Sequence, residues 1–479
     1  MQSKKAPLTI SRRQALVGAG SVMFAASAAG MFACSKTPEA PDLLVQDSLI
    51  SDDNFIDMMA YEAVDVDAML ENTYHLPLGS VLFATSENYG AVLSQNDVAV
   101  PISQIGLLNL KSGDYSVIHK TPTSAQGYEF MDVRTSDDLM VWTELNFHTS
   151  EWALFAQNHN AGQALGEITK LDQGDKNTLI PNFAVWRHQV YWQRMPNPNG
   201  DHKTQDSILF MWSINDANAK EIWRSSGHFA TPPTLSKDFL VITPRVLNQQ
   251  GTHYGVTGIN CVSNKMFDQF VLPKSVKPST ATYLDGNFAI SNEASYGFGG
   301  LLGSMGTFLG RGGKQFLACT REPYATAVQT GNRICIKNRG SMLIFNPQNE
   351  SFYRLPATNN SMEWGDFPAA EGLCNKLFVY ATTKDPQTGL PAEVTVRSFV
   401  FPEAGAQSED GKSDKEPAQI YHQAPITVVN PDGTQTTINP EMDAFVVKDP
   451  SAIPDDSENT TTPESEAETS STNETEPAQ

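Results

Sequence analysis

Short strand-like runs recurring about every 45–50 residues, hairpin turns at matching intervals, and an almost complete lack of long helical periodicity predict an all-β chain of repeated four-stranded units. One open sheet does not run through so many strands, whereas radial repetition buries both faces of every unit between its neighbours. The spacing therefore predicts a β-propeller over residues 78–401, with seven blades of four strands. Six blades is the alternative, because the fifth and sixth repeats are poorly formed around a Gly-rich segment. The period is too regular for a pair of β-sandwiches.

The chain opens with a charged n-region, Lys4, Lys5, Arg12 and Arg13, followed by an uncharged apolar stretch from Gln14 to Ala33 that stops at Met31-Phe32-Ala33-Cys34. This order of charge, apolar run and small residues fits a cleaved leader better than a permanent span. Residues 1–33 resemble a twin-arginine export signal ending in a bacterial lipobox, with Arg12 and Arg13 as the signal pair and Cys34 as the lipidated residue. The chain departs from that pattern at Ala15, where Phe is preferred, at Met31, where Leu is preferred, and at Phe32, where a small residue is preferred. The resemblance implies an extracytoplasmic, membrane-anchored lipoprotein on the cell surface or the periplasmic face. Its acylated Cys34 would enter the lipid bilayer, several acyl chains supplying the anchoring that one alone lacks.

Residues 34–54 read as a tether, and residues 55–77 as a short helical or strand lead-in, with apolar positions at Phe55, Met58, Met59, Val64, Val66, Met69 and Leu70. The repeats begin at residue 78. Their apolar runs are Gly90–Leu93, Leu139–Trp142, Gln189–Trp192, Phe239–Ile242, Phe288–Ile290, Ile334–Ile336 and Leu377–Tyr380. Hairpins follow: Ile105–Leu110 with Tyr115–His119, Ser207–Ile214 with Glu221–Arg224, Gly255–Cys261 with Phe267–Leu272, Thr307–Gly310 with Gln315–Cys319, and Ser341–Phe345 with Ser351–Leu355. Trp152–Gln157 and Ile168–Leu171 flank an Asn-, His- and Gly-rich turn. Each break carries the Asn, Asp, Gly, Ser or Pro residues that turns need. Residues 402–447 form a linker with one more hairpin, Ile426–Asn430 and Thr434–Ile438. From 448 to 479 the tail is rich in Ser, Thr, Glu and Pro, cannot bury enough apolar surface to order itself, and is predicted to be disordered.

The formal charge of -21 is concentrated at the end: residues 401–479 hold 17 acidic residues against three Lys, a balance of -14. Such a charge excludes nucleic acid as a partner and offers no basic patch to anionic lipid. With Cys34 set aside, Cys261, Cys319, Cys335 and Cys374 allow three disulfide pairings or buried free thiols.

The motifs of phosphate loops, zinc proteases, α/β-hydrolases and calcium loops are all absent. Gly313-Lys314 is followed by Gln315, which breaks a phosphate cradle, and no cofactor motif is present. The nine His are scattered, and His148 and His159 read as loop residues. Trp142, Trp152, Trp192 and Trp212 lie within apolar runs and read as packing between units. Trp186-Arg187-His188 sits nearer a strand start and is the candidate to face an opening. The Gly-rich segment 296–306, with Phe298, Leu301 and Leu302, is the candidate mobile binding loop.

Residues 78–401 resemble extracytoplasmic β-propeller lipoproteins of the broad TolB-like and quinoprotein-like kind, although they lack the Gly-His and Trp-Asp signature of WD repeats and the Gly-Gly pairs of kelch repeats. The resemblance implies envelope binding or scaffolding and carries over no catalytic residue. A binding module for a protein, peptide or glycan is the leading expectation. A hydrolase or lyase acting on polysaccharide or peptide is the first alternative, and an accessory subunit of a membrane redox or transport complex the second. Converging Asp, Glu, His or Arg side chains in a deep funnel would favour the enzyme. Export in the folded state suits a slow-folding, non-local β architecture.

Overall fold

Every predicted apolar run is the second strand of a sheet. A computed structural model describes residues 61–402, apart from 85, 98–100, 202–205, 249–250, 273–275, 285 and most of 293–322; it adds the strand backbones at 55–57, 306–308, 316–318, 426–429 and 435–438. Among the described residues every regular element is a strand, so the protein is all-β. The chain divides into two units, Met1–Ala418 and Gln419–Gln479.

In the first unit, seven sheets of four to six strands follow one another along the sequence. The first three are regular antiparallel ladders. Sheet 1 holds Val81–Phe83, Tyr89–Gln95, Ser103–Asn109 and Tyr115–His119. Sheet 2 holds Tyr128–Thr135, Leu139–Asn146, Trp152–Asn160 and Gln163–Gly174, and sheet 3 holds Asn182–Trp186, Gln189–Arg194, Ser207–Ser213 and Lys220–Ser225. Sheet 4 starts with Thr234–Ser236 and Phe239–Ile242, and its third strand, Gly251–Asn260, pairs with both Arg245–Asn248 and Lys265–Val271. Sheet 5 runs from Pro278–Leu284 through Asn287–Asn292 and Gly306–Phe308 to Phe316–Ala318. Sheet 6 carries Val328–Thr330, Arg333–Lys337, Met342–Asn346 and Ser351–Arg354. Sheet 7 carries Phe367–Pro368, Leu377–Lys384 and Pro391–Val400.

The second strands are apolar without alternation for a physical reason. Each has ladder partners on both sides, and those of sheets 1–4 and 7 pack against a neighbouring sheet on both faces, so Leu139–Asn146 is buried at six successive positions; Arg333–Lys337 of sheet 6 is buried throughout. Six clusters join successive sheets. Trp142 and Phe155 pack with Ile105 and Leu107 between sheets 1 and 2, and Val141 with Trp192 between sheets 2 and 3. Tyr191 packs with Leu240 between sheets 3 and 4, and Val256 with Phe288 between sheets 4 and 5. Val328 packs with Leu377 between sheets 6 and 7, and Leu76 and Phe378 with Val92 and Leu108 between sheets 7 and 1.

Among the described residues the lead-in resolves as strands. Phe55–Asp57 adds in parallel to the outer edge of sheet 5, and Glu62–Ala63 to that of sheet 6. Met69–Pro77 is the fourth strand of sheet 7, pairing antiparallel with Pro391–Val400 from Met69↔Val400 to Pro77↔Glu393. The repeat body thus begins before residue 78. The chain walks down the outer edges of its last three sheets before starting the first.

Two smaller expectations change. The predicted turn after Trp152–Gln157 shrinks to Ala161-Gly162, because the strand continues to Asn160 and its partner begins at Gln163. His159 is accordingly a buried strand residue, 3.1 Å from Thr135 Oγ1 and edge-on to Tyr89, and burial lowers its pKa. His148 does lie in a turn. Trp142, Trp192 and Trp212 are buried between sheets, as their runs predict, and Trp152 is buried with its Nε1 donating to Thr178 O at 3.1 Å. Cys261, Cys335 and Cys374 are free thiols, and Cys319 lies outside the described residues. In the second unit Ile426–Val429 pairs with Gln435–Ile438. The predicted tail, 448–479, lies outside the described residues.

Candidate functional site

The turns joining first to second strands lie at one end of the sheets, and several touch. Asn375 of sheet 7 donates to Glu87 of sheet 1. Asp137 of sheet 2 accepts from Ser86 and from the backbone N–H of Asn88 (3.2 Å). His188 of sheet 3 lies 3.2 Å from Asp138 of sheet 2. Trp186 Nε1 and Arg187 both donate to Asp238 of sheet 4, at 3.0 and 3.4 Å. The candidate Trp186-Arg187-His188 therefore belongs to this chain of contacts: Trp186 is half-buried, Arg187 sits over its ring at 4.7 Å, and Arg187 takes a φ of +49° in the two-residue turn. These residues link sheets 2, 3 and 4, while the Arg187 and His188 side chains remain exposed. Exposed ion pairs of this kind add little stability singly.

Between sheets 4 and 7 the same turns border a cavity of about 1020 Å³. Lys237, Asn287, Asn332 and Asn375 come from the turn regions of four successive sheets, with Gln329 and Gln348 from sheet 6. Apolar patches are supplied by Phe288 and Phe401. Local geometry orients the polar groups. Gln329 Nε2 donates to Gly331 O (2.8 Å), Asn332 Nδ2 to Gln348 Oε1 (3.2 Å), and Arg333 to Asn332 Oδ1 (2.6 Å). A carboxamide carries two donor hydrogens and an acceptor oxygen with two lone pairs, so one or two internal bonds fix these groups while leaving capacity for a ligand. Cys374 also lines the cavity. Burial pushes its thiol up to about 11, against the opposing pull of the Thr330 hydroxyl and Lys237, so it is held protonated at neutral pH and is not an activated nucleophile.

The segment Glu371-Gly372-Leu373 leads from this cavity inward to the first strand of sheet 4. Glu371 Oε1 accepts from Leu235 N (3.2 Å), and Leu373 N donates to Ser236 Oγ (2.8 Å). Gly372 makes the approach possible: its φ is +70°, and an added Cβ would fall 2.5 Å from Leu235 O. Beyond it, first strands converge. Arg134 pairs with Asp132 and stacks over Phe83 at 3.5 Å, with Phe183 at 6.0 Å. The charges of Asp132 and Arg134 reach Glu371. Burial raises the Glu371 carboxyl to about 7 in spite of Arg134 and the Leu235 N–H, and burial likewise raises Asp132 although Arg134 pulls it down. Glu371 is deeply surrounded by protein, yet part of its surface meets solvent.

The remaining sequence candidates, Arg12, Arg13, Cys34, Phe298, Leu301 and Leu302, lie outside the described residues. Sequence reasoning passed over Lys237, Asp132, Arg134 and Glu371. Only the alternation of Asp132 and Arg134, which places both on one face of a strand, was open to inspection.

No family model matches the chain, and no curated protein matches it. Among solved structures it is similar to one of two prolyl endopeptidases (12% identity, 90% of this chain, TM-score 0.43). It spans 58% of that peptidase's length. It is also similar to the β-propeller domain of the Trilobed protease from Pyrococcus furiosus, at 10% identity over 66% of this chain and 95% of that one, with TM-score 0.42. The N-terminal domain of Nup159 gives 10% identity, 73% and 100% coverage, and TM-score 0.39. At this level the likenesses assign no function.

Proposed function

We propose that the seven sheets are the blades of a β-propeller closed by Met69–Pro77, carried outside the cytoplasm by Arg12 and Arg13 and anchored to the bilayer by acylated Cys34. The propeller acts as a binding or scaffold module that holds a protein segment, peptide or glycan in the cavity between sheets 4 and 7. One observation carries this reading: carboxamides and a lysine from four successive sheets line one cavity, which Glu350 also lines. Fixed donors and acceptors in a partly apolar cleft suit a polar chain ligand.

Probing the detergent-solubilised protein on peptide and glycan arrays tests it. Lys237→Ala and Asn287→Ala are expected to lower the signal of any bound ligand about tenfold. No array signal, or unchanged signal in both variants, would overturn the reading. For the ends, replacing Arg12 and Arg13 by Lys is expected to leave precursor in the cytoplasm, and Cys34→Ala to release the protein from membranes. Normal export or unchanged retention would refute those parts separately.

A second reading, a hydrolase, is favoured by the convergence of Asp132, Arg134 and Glu371. With a carboxyl near 7, Glu371 suits a general acid. Turnover of a peptide or polysaccharide that Glu371→Gln abolishes would replace the binding reading with this one.

A further inference from the structure

The end of the sheets that borders the cavity also carries an apolar tip. In sheet 4 the stretch Val262-Ser263-Asn264-Lys265-Met266-Phe267 leaves Val262 64%, Met266 40% and Phe267 39% exposed. The turns at the same place in sheets 1, 3 and 6 are polar: Lys111-Ser112-Gly113, Asn215-Asp216-Ala217-Asn218 and Pro347-Gln348-Asn349-Glu350. A grouped apolar surface of this kind marks a place of contact.

The tip is held rigidly. Asn260 Oδ1 accepts from the backbone N–H groups of Val262 and Ser263, at 3.1 and 3.0 Å, and Tyr191 OH donates to Asn264 Oδ1 at 2.8 Å. A β-bulge opposite Gly258-Ile259 leaves Phe267 without a ladder partner. Its ring lies on Gly258, where an added Cβ would come within 2.5 Å of it. Phe239 and Tyr283 pack around that ring, with centroids at 4.7 and 5.0 Å, and Tyr283 leads on to Phe288 of the cavity wall at 5.4 Å.

The route of the chain identifies what covers the tip. Turns between third and fourth strands lie at the cavity end, so each fourth strand runs away from it. Phe55–Asp57 is parallel to Phe316–Ala318, the fourth strand of sheet 5, so the chain enters the body at the cavity end, on the sheet next to the tip. Residues 35–54 separate that entry from Cys34, and 20 residues reach at most roughly 70 Å when fully extended. A bilayer holding an acylated Cys34 is thereby kept near the tip, and a tethered surface binds at a raised effective concentration without high affinity of its own.

We propose that Val262, Met266 and Phe267 dock on the lipid bilayer, a proposal that rests on the reading of Cys34 given above. Aliphatic, thioether and aromatic side chains suit the boundary between headgroups and acyl chains. Lys265, the one charged residue of the six, carries the sign that lipid phosphates attract. The cavity, at the same end, then faces the membrane.

The test is hydroxyl-radical footprinting of the mature acylated protein in vesicles of phosphatidylethanolamine and phosphatidylglycerol, read by mass spectrometry at two methionines. Met362, 36% exposed, serves as the reference, since its N–H donates to Thr382 O at the opposite end of sheet 7. Met266 is expected to oxidise about fivefold more slowly than Met362. Val262→Asp, at an exposed turn position, should bring the two rates within about twofold while the protein stays on the vesicles. Equal rates in the wild type, or no gain at Met266 in Val262→Asp, would overturn the docking and leave the anchor standing. Absence of the acyl mass on Cys34, or of the protein from the vesicles, would remove the anchor and the docking with it. Protection of Met266 in native membranes but not in the reconstituted vesicles would assign the tip to a protein partner instead. Protection that fades as lipid is added per protein would assign it to a second copy of this chain, and either result overturns the proposal.

Discussion

The junction between sheets 2 and 3 and the border of sheets 5 and 6 are built from the same kind of strand and end differently. At the first, Trp192 lies between Val141, Leu154 and Trp212, stacks on Phe210 at 5.6 Å, and places its Nε1 2.9 Å from Asp172. At the second, Phe288 and Ile334 face a cavity whose rim is carboxamide. Bulk fills the one, while polar groups with spare hydrogen-bonding capacity line the other. A repeat fold gains stability from every neighbour contact, so a place where contact gives way to a polar cleft is where function can be located at least cost.

The largest effect that would sharpen this contrast is Trp192→Ala, expected to cost about 3–5 kcal/mol in urea unfolding. A loss below about 1 kcal/mol would mean that the sealed junction is not sealed by this ring. Next comes Gly372→Ala, where a left-handed φ and the nearby Leu235 carbonyl both oppose a Cβ. We expect a loss of about 1–3 kcal/mol, with Leu235 and Ser236 detached from the segment that reaches the cavity.

Glu371→Gln probes the ground between the two regions. In the folded protein the carboxyl keeps its proton up to about 7, whereas unfolded it releases it near 4.5. Its stabilising contribution is therefore complete below pH 4.5 and is lost as pH rises through about 7. The Gln variant should match the wild type in acid and exceed it above neutrality by about 1–3 kcal/mol, an upper figure because solvent reaches part of the group. A difference independent of pH would refute the assignment. The smallest effect belongs to the cavity rim: Lys237→Ala and Asn287→Ala should move stability by less than about 0.5 kcal/mol while altering binding.

The sheets were legible because each second strand, buried on both faces, writes an apolar run into the sequence, and because hairpin turns need Asn, Asp or Gly. The strand Met69–Pro77 was not, since its partner, Pro391–Val400, lies at the other end of the body and local spacing says nothing of it. Its neighbours Phe55–Asp57 and Glu62–Ala63 are so short that their combined apolar pattern admitted a helix. The inner cluster was hidden for a similar reason. Arg134 and Glu371 meet only because Gly372 lets a sheet 6 edge reach sheet 4.

The pairing of Met69–Pro77 with Pro391–Val400 also acts as a gauge of chain length. At a synthesis rate of about 5–20 residues per second, the first of these strands waits roughly 15–60 s for the second to be made. Until then sheet 7 has no outer strand, and two unpaired edges stand open to other chains. A chain that stops short of residue 391 can form its early sheets but lacks the partner of Met69–Pro77, so the pairing that completes sheet 7 reports that Pro391–Val400 has been made.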